Sequence, residues 1–308
     1  MLGKKHGGLE TMAMVYHRLL QSRSIDVLTI AAPRSWLSQK QNEIQPLLTT
    51  KIQPAWPILP RLEIAKAVKD FDAQAIIAHG TRAITIADGI GKIKHIGVIH
   101  NTRFKKSFSN LDLMIAVSSG VQKKAKREFP NNNVVVVPNH VEISPNKFVK
   151  SSRKPLVFGT MGRFHHNKGF DVFLNALADP QLQIYDWQAV IAGTGPENKR
   201  LRQMVKNLKL NDRVKFLGWI DDLDSFYKSI DVFVLPSREE PFGLVLLEAM
   251  ARQCPVIATD TDGPLDIIKN KSTGILVERD NIQQLAKTLN DVINHNFDLN
   301  AMTDAAFQ

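Results

Sequence analysis

With 308 residues, 44% of them hydrophobic and 23% charged, the chain can fill two globular cores, and no apolar run approaches the roughly 20 residues of a bilayer span, which argues against an integral membrane protein. A single cysteine, Cys254, leaves no partner for a disulfide or a cysteine zinc cage, and the residues around Met1, Lys4 and Lys5 lack the apolar core of a secretory signal, so a reducing, cytoplasmic setting is expected. The net charge of +10 is uneven: Met1 to Lys154 carries 24 Lys and Arg against 10 Asp and Glu, Pro155 to Gln308 carries 16 against 20, and the basic half is expected to face something anionic.

In chain order, short β-branched runs alternate with amphipathic stretches, the pattern of βαβ units around parallel sheets. The first half predicts strands over Ile25 to Ala31, Ala75 to His79, Ile96 to His100, Leu113 to Val117 and Val134 to Val137. Helices are predicted over Leu9 to Gln21, Arg61 to Lys69, Arg82 to Gly89 and Gly120 to Phe129. Arg34 to Pro60 holds four prolines and reads as irregular loop or short strands. A polar, proline-containing stretch from Asn139 to Pro155 reads as a linker, giving domains of 1–149 and 150–308. The second half predicts strands over Leu156 to Met161, Trp187 to Ala192, Val214 to Leu217, Asp231 to Leu235, Pro255 to Thr259 and Ile275 to Val277. Its helices are predicted over Gly169 to Ala178, Glu197 to Leu208, Asp222 to Ser229, Phe242 to Arg252 and Ile282 to Asn294. The expected fold is α/β, with two doubly wound Rossmann-like domains and a ligand cleft at the carboxyl ends of both sheets.

Two loop clusters carry candidate chemistry. Ser237 to Glu248 follows a predicted strand. Pro241 suits a first helical position, and the backbone N–H groups of Phe242, Gly243 and Leu244 would then offer a helix start to a phosphate. Glu248 lies eight residues beyond Glu240, roughly 10 to 12 Å along one helix. One carboxylate could take ribose hydroxyls and the other sugar hydroxyls. In the second cluster, Gly159 to Gly169, Arg163 and Lys168 could neutralise a diphosphate without a metal, Arg as a fork and Lys as a point charge. The adjacent His165 and His166 lack further ligands for a metal site.

The chain resembles the family 4 retaining glycosyltransferases of GT-B fold. The resemblance rests on Gly7-Gly8-Leu9-Glu10, Val98-Ile99-His100, Val137-Pro138-Asn139, Gly162-Arg163 with Lys168-Gly169, and Ala192-Gly193-Thr194-Gly195-Pro196-Glu197. It continues in Val214 to Gly218 and in Glu240-Pro241-Phe242-Gly243 with Glu248. It implies transfer of a sugar from a nucleoside diphosphate sugar to a hydroxyl acceptor with retained anomeric configuration. By the same resemblance Arg163 and Lys168 hold the diphosphate, Glu248 the ribose and Glu240 the transferred sugar. The backbone at Phe216, Leu217 and Gly218 would meet the base, Gly8 would give a backbone N–H to the phosphates, and His100 would sit next to the reacting sugar. No metal and no cofactor beyond the sugar nucleotide are expected.

His79-Gly80-Thr81-Arg82-Ala83 looks similar to bacterial transferases that build lipopolysaccharide and other cell-envelope glycans, which suggests a glycan or glycolipid acceptor. The basic residues Arg103, Lys105, Lys106, Lys123, Lys124, Lys126 and Arg127 favour an acceptor on the cytoplasmic membrane surface. Nucleic acid is disfavoured, because aromatics at 7% show no interleaving with cations. The alternatives are another GT-B activity, such as a nucleotide-sugar epimerase or a phosphorylase, and a degenerate donor-binding protein. Asn139-His140-Val141 and Gly263-Pro264-Leu265-Asp266 depart from the family's usual residues. The family's first strand has no counterpart before Gly7, so two neighbouring strands are expected to lose ladder partners, and the family's last helix is expected to be cut short at Gln308.

Overall fold

The structure, a computed structural model, describes residues 7–40, 42–50, 58–141, 143 and 155–307. Most of the expected linker, the start of the chain and part of the proline-rich segment therefore lie outside the described residues. Two compact units divide between Asn139 and His140.

Unit 1 comprises α1 (Gly8–Ser22), β1 (Thr29–Ala31), β2 (Leu47–Thr49), α2 (Ile58–Asp70), β3 (Ala75–His79), α3 (Gly80–Ala87), β4 (Lys94–Ile99), β5 (Leu113–Ala116), α4 (Ser119–Glu128) and β6 (Val134–Val136). All its strand pairs are parallel, but they form two sheets, β1-β2 and β3-β4-β5-β6. A cavity of about 770 Å³ is lined by Leu28 and Ile30 on the β1 side, Ala75 and Ile77 on β3, and Tyr16 and Ile64 from α1 and α2. Residue spacing explains the helices: in α4, Val121 and Ala125 are buried four apart while Lys123, Lys126 and Arg127 face outward, and the Ser118 hydroxyl caps the start by accepting from the Val121 N–H. His17 of α1 meets the Thr29 hydroxyl at 2.8 Å, tying the helix to β1.

Unit 2 comprises β7 (Leu156–Met161), α5 (Phe170–Leu177), β8 (Trp187–Ala192), α6 (Asn198–Asn207), β9 (Val214–Gly218), α7 (Leu223–Ser229), β10 (Val232–Leu235), α8 (Leu244–Met250), β11 (Val256–Thr259), α9 (Asp262–Ile267), β12 (Ile275–Val277), α10 (Ile282–Ile293) and α11 (Leu299–Phe307). Its six strands are parallel in the order β12-β11-β10-β7-β8-β9. Every residue of β10 is buried: Val232 and Val234 join one core with Phe158 and Phe173, and Phe233 and Leu235 join another with Tyr227 and Leu246. A strand covered on both faces must read as an unbroken apolar run. From β7 the chain winds outward through β8 and β9, then returns to the other side of β7 as β10, so β7 and β10 flank a topological switch point.

Several boundaries differ from the sequence reading. The first strand is Thr29–Ala31 rather than Ile25 to Ala31, because its partner β2 offers only three residues. The proline-rich segment ends in helix from Ile58. Helix α8 starts at Leu244, not at Pro241 or Phe242: Gly243, at φ 97°, turns the chain immediately before it. Helix α9 has no counterpart among the predicted helices; Pro264 sits in its first turn, where proline forfeits only an N–H that had no intrahelical acceptor.

Candidate functional site

The loops leaving β7 and β10 at their carboxyl ends carry five of the expected site residues, Arg163, Lys168, Glu240, Phe242 and Gly243. Gly169, at φ 62°, closes the first loop. A Cβ there would lie 1.8 Å from the Pro236 carbonyl oxygen, so only glycine allows the two loops to touch. The backbone N–H groups of Arg238 and Glu239 both donate to the Asn167 carbonyl, at 2.8 and 3.2 Å. Lys168 and Glu240 are thereby brought together: Nζ lies 2.6 Å from Oε2, with the carboxylate side chain 9% exposed. The Ser237 hydroxyl is 3.4 Å from the same oxygen.

Helix α9 supports Glu240 from below. The Gly263 N–H donates to the Glu240 carbonyl at 2.9 Å, and a Cβ on Gly263 would fall 1.9 Å from the Phe242 carbonyl oxygen. A glycine required by backbone approach, rather than by a turn, leaves little signature in a single sequence.

Arg163 stands exposed on the first loop and pairs with no described residue. The pitch estimate for Glu240 and Glu248 does not hold, since Glu240 belongs to the loop and only Glu248 to α8. Helix α8 has seven residues, so an anion there would depend on individual N–H groups at Gly243 and Leu244 rather than on a long helix dipole. The Phe242 side chain is buried and offers its backbone alone.

Burial raises the Glu248 carboxyl from its ordinary value, against the opposing pull of the Arg252 charge and the nearby Tyr227 hydroxyl, which itself donates to the Val245 carbonyl at 2.9 Å. Arg252 is anchored by Asp224 at 2.7 Å and donates to the Glu248 carbonyl at 3.1 Å. Its position four residues after Glu248 was the available sequence signal for this contact; Tyr227, from α7, had none.

At the end of β9, Phe216 packs against Phe164 and lies under the Arg202 guanidinium at 4.5 Å, while Leu217 is 44% exposed. Gly218, at φ 73°, ends the strand, and its carbonyl accepts from the Gly193 N–H at 2.6 Å.

Within unit 1, Gly8 opens α1, and the Leu9 side chain packs so close to Gly80 that a Cβ there would lie 2.7 Å from it. His100 follows β4 and is not alone: its Nε2 lies 3.2 Å from Nδ1 of His79 at the end of β3, with the rings stacked at 5.5 Å and Tyr16 edge-on to His79 at 4.9 Å. Burial pushes the His100 imidazole down to about 4, and burial with the neighbouring His100 charge pushes His79 down to about 3. Both are neutral near pH 7, one donating and one accepting. Among the described residues, no three His, Cys, Asp or Glu side chains gather to hold a metal.

Residues 142–308 match the family model of glycosyl transferases group 1. The chain belongs to that family. Among curated members, the Rhizobium meliloti lipopolysaccharide core biosynthesis glycosyltransferase LpsE is 26% identical over 95% of this chain and 87% of its own length. The mannosyltransferase LpsB of the same organism is 35% identical over 41% of this chain and 38% of its own. An uncharacterised Haemophilus influenzae glycosyltransferase is 29% identical over 60% of this chain, a match that spans about half, 52%, of that relative's length. Solved GT-B structures share the fold: the galactosyltransferase WaaB superposes with a TM-score of 0.79 at 20% identity, covering 99% of this chain and 92% of its own. Anabaena HepE, solved with UDP and glucose, gives 0.82 at 22%, covering 100% and 92%. The family match covers the loops of Lys168 and Glu240 and the helix of Glu248, and the parallel α/β sheets of the two units are those of the GT-B fold.

Proposed function

We propose that this glycosyl transferase group 1 member moves a sugar from a nucleoside diphosphate sugar to a hydroxyl acceptor, retaining the anomeric configuration and using no metal. The observation that carries the reading is the Lys168 and Glu240 pair at the β7 and β10 switch point, a cation for phosphate beside a carboxylate for sugar hydroxyls. Glu248 holds the ribose, the backbone at Phe216 to Gly218 meets the base, and Gly243 and Leu244 offer N–H groups to phosphate. Gly8 and His100 take the phosphate and sugar roles that the resemblance implies. As the bond from the anomeric carbon to the diphosphate breaks, negative charge grows on the leaving oxygens, and Arg163 and Lys168 stabilise it. The acceptor oxygen bonds to the same face of that carbon, and its hydroxyl proton leaves with the diphosphate.

The acceptor is a glycan or glycolipid of the cell envelope. Support comes from the lipopolysaccharide roles named for LpsE and LpsB and from a basic patch on unit 1. Phe104, Phe108 and Phe129 pack together with centroids 5.6 to 6.0 Å apart, joining the exposed Arg103, Lys105 and Lys106 to the exposed cations of α4. No described helix is long and apolar enough to cross a membrane, and the patch suits docking from the cytoplasm on an anionic surface.

UDP-glucose, which HepE was solved with, is the first donor to test. Incubation with lipopolysaccharide core acceptors should give UDP and a product with the donor's anomeric configuration by NMR, undiminished by EDTA. An inverted product, or activity lost on chelation and restored by magnesium or manganese, overturns the mechanism; failure of UDP-, GDP- and ADP-sugars alike to bind overturns the reading.

A further inference from the structure

Two residues before Glu240, Arg238 points the other way and is almost fully engaged. Its Nη1 donates to the Asp171 carboxylate at 2.8 Å and to the His166 carbonyl at 2.9 Å, its Nη2 reaches the other Asp171 oxygen at 3.2 Å, and its Nε meets Asp280 at 2.5 Å. These partners come from three places: the loop after β7, the first turn of α5, and the loop ahead of α10. The guanidinium side chain is 19% exposed and Asp171 16%. Burial by itself would raise the Asp171 carboxyl, but the Arg238 hydrogen bonds and charge, joined by a smaller pull from Arg200 at 3.6 Å, hold the group below its ordinary value. A fork that binds one carboxylate through two nitrogens fixes orientation as well as distance, which a lysine cannot do.

We propose that Arg238 is a positioning residue for sugar transfer, setting the spacing of Lys168 and Glu240 by clamping the loop after β10 to the loop after β7 and to α5. This rests on the transferase reading above for the roles of those two side chains. Arg238 itself is turned away from the pair: its reach ends at Asp171, His166 and Asp280. It acts through backbone, since Arg238 N–H and Glu239 N–H bond the Asn167 carbonyl one residue before Lys168, and Gly169 contacts Pro236 one residue after it. Losing the fork leaves the nucleotide-facing groups Glu248 and Phe216 to Gly218 untouched, because they sit on α8 and β9. The expected damage is greater to chemistry at the sugar, where Lys168 and Glu240 act together, than to capture of the nucleotide, which Lys168 shares with Glu248 and Phe216 to Gly218.

The test compares wild type with Arg238→Lys and Asp171→Asn, each alone and in a Glu240→Gln background. In the Glu240-containing protein, kcat for UDP-glucose consumption should fall about 30-fold, the scale expected of a sub-ångström to 1 Å misplacement, while Kd for UDP alone and KM stay within about threefold. In the Glu240→Gln background the same change should cost less than about threefold, because the spacing it protects has lost its object. An equal loss of UDP affinity and turnover, or an undiminished loss in the Glu240→Gln background, overturns the proposal and leaves Arg238 a general stabiliser. Hydrogen exchange judges the clamp independently of activity: Arg238→Lys should lower protection of the 238 and 239 amides while β10 stays protected. Unchanged protection there overturns the clamp. A wild type that binds no sugar nucleotide overturns the transferase reading instead, with the exchange result standing separately.

Discussion

Lys168 Nζ and Glu240 Oε2 lie 2.6 Å apart across 72 residues of sequence, joining two loops that leave adjacent parallel strands. Removing the lysine strands a carboxylate whose side chain is only 9% exposed, whereas removing both charges does not. Lys168→Ala should therefore cost about 2 to 4 kcal/mol, and the Lys168→Ala/Glu240→Gln double variant clearly less than the sum of the singles. Denaturant titration of the four proteins measures the coupling; strict additivity would show that the pair contributes nothing.

Glu248 and Arg163 should separate binding from chemistry. If Glu248 holds the ribose as proposed, Glu248→Ala should cost about 1 to 3 kcal/mol, roughly a 5- to 150-fold loss in UDP affinity by calorimetry. Arg163→Ala should reduce kcat by about 100-fold with a smaller effect on UDP affinity, because leaving-group charge peaks in the transition state. Unchanged turnover in both variants would remove them from the site.

The His79 and His100 imidazoles, at about 3 and about 4, are harder to protonate folded than at the ordinary unfolded value near 6.5. Between pH 6.5 and about 3 the unfolded chain therefore binds more protons, so this pair's contribution is fully present above pH 6.5 and is lost as pH falls through that window. Melting temperature should drop over that range, and a His79→Asn/His100→Asn protein should show a shallower drop. Parallel curves for the two proteins would contradict the burial that sets these values.

Basic residues on the 103–106 segment and α4 should hold the chain on vesicles containing anionic lipid at low salt and release it steeply by physiological salt. Lys123→Glu/Arg127→Glu should abolish the retained fraction. Salt-independent partitioning would return those cations to ordinary solvation.

The sequence by itself determined the parallel α/β class and most strand positions. Runs such as Val232 to Leu235 and Ile275 to Val277 are apolar throughout, and that pattern is local. The candidate loops were legible too, because Lys168 and Glu240 each lie between a strand end and a helix with a glycine nearby, and Glu248 lies on the helix that follows. Tertiary structure alone decided who meets whom. The Lys168 and Glu240 pairing depends on β7 and β10 lying side by side, an order set by the chain's return across the sheet. His79 meets His100 because β3 and β4 are parallel neighbours, with His79 opposite Val98 two residues before His100, and Arg238 finds Asp171 because Gly169 permits two backbones to touch. Periodicity reports burial within one element, whereas such encounters are fixed by the packing of elements far apart in the chain.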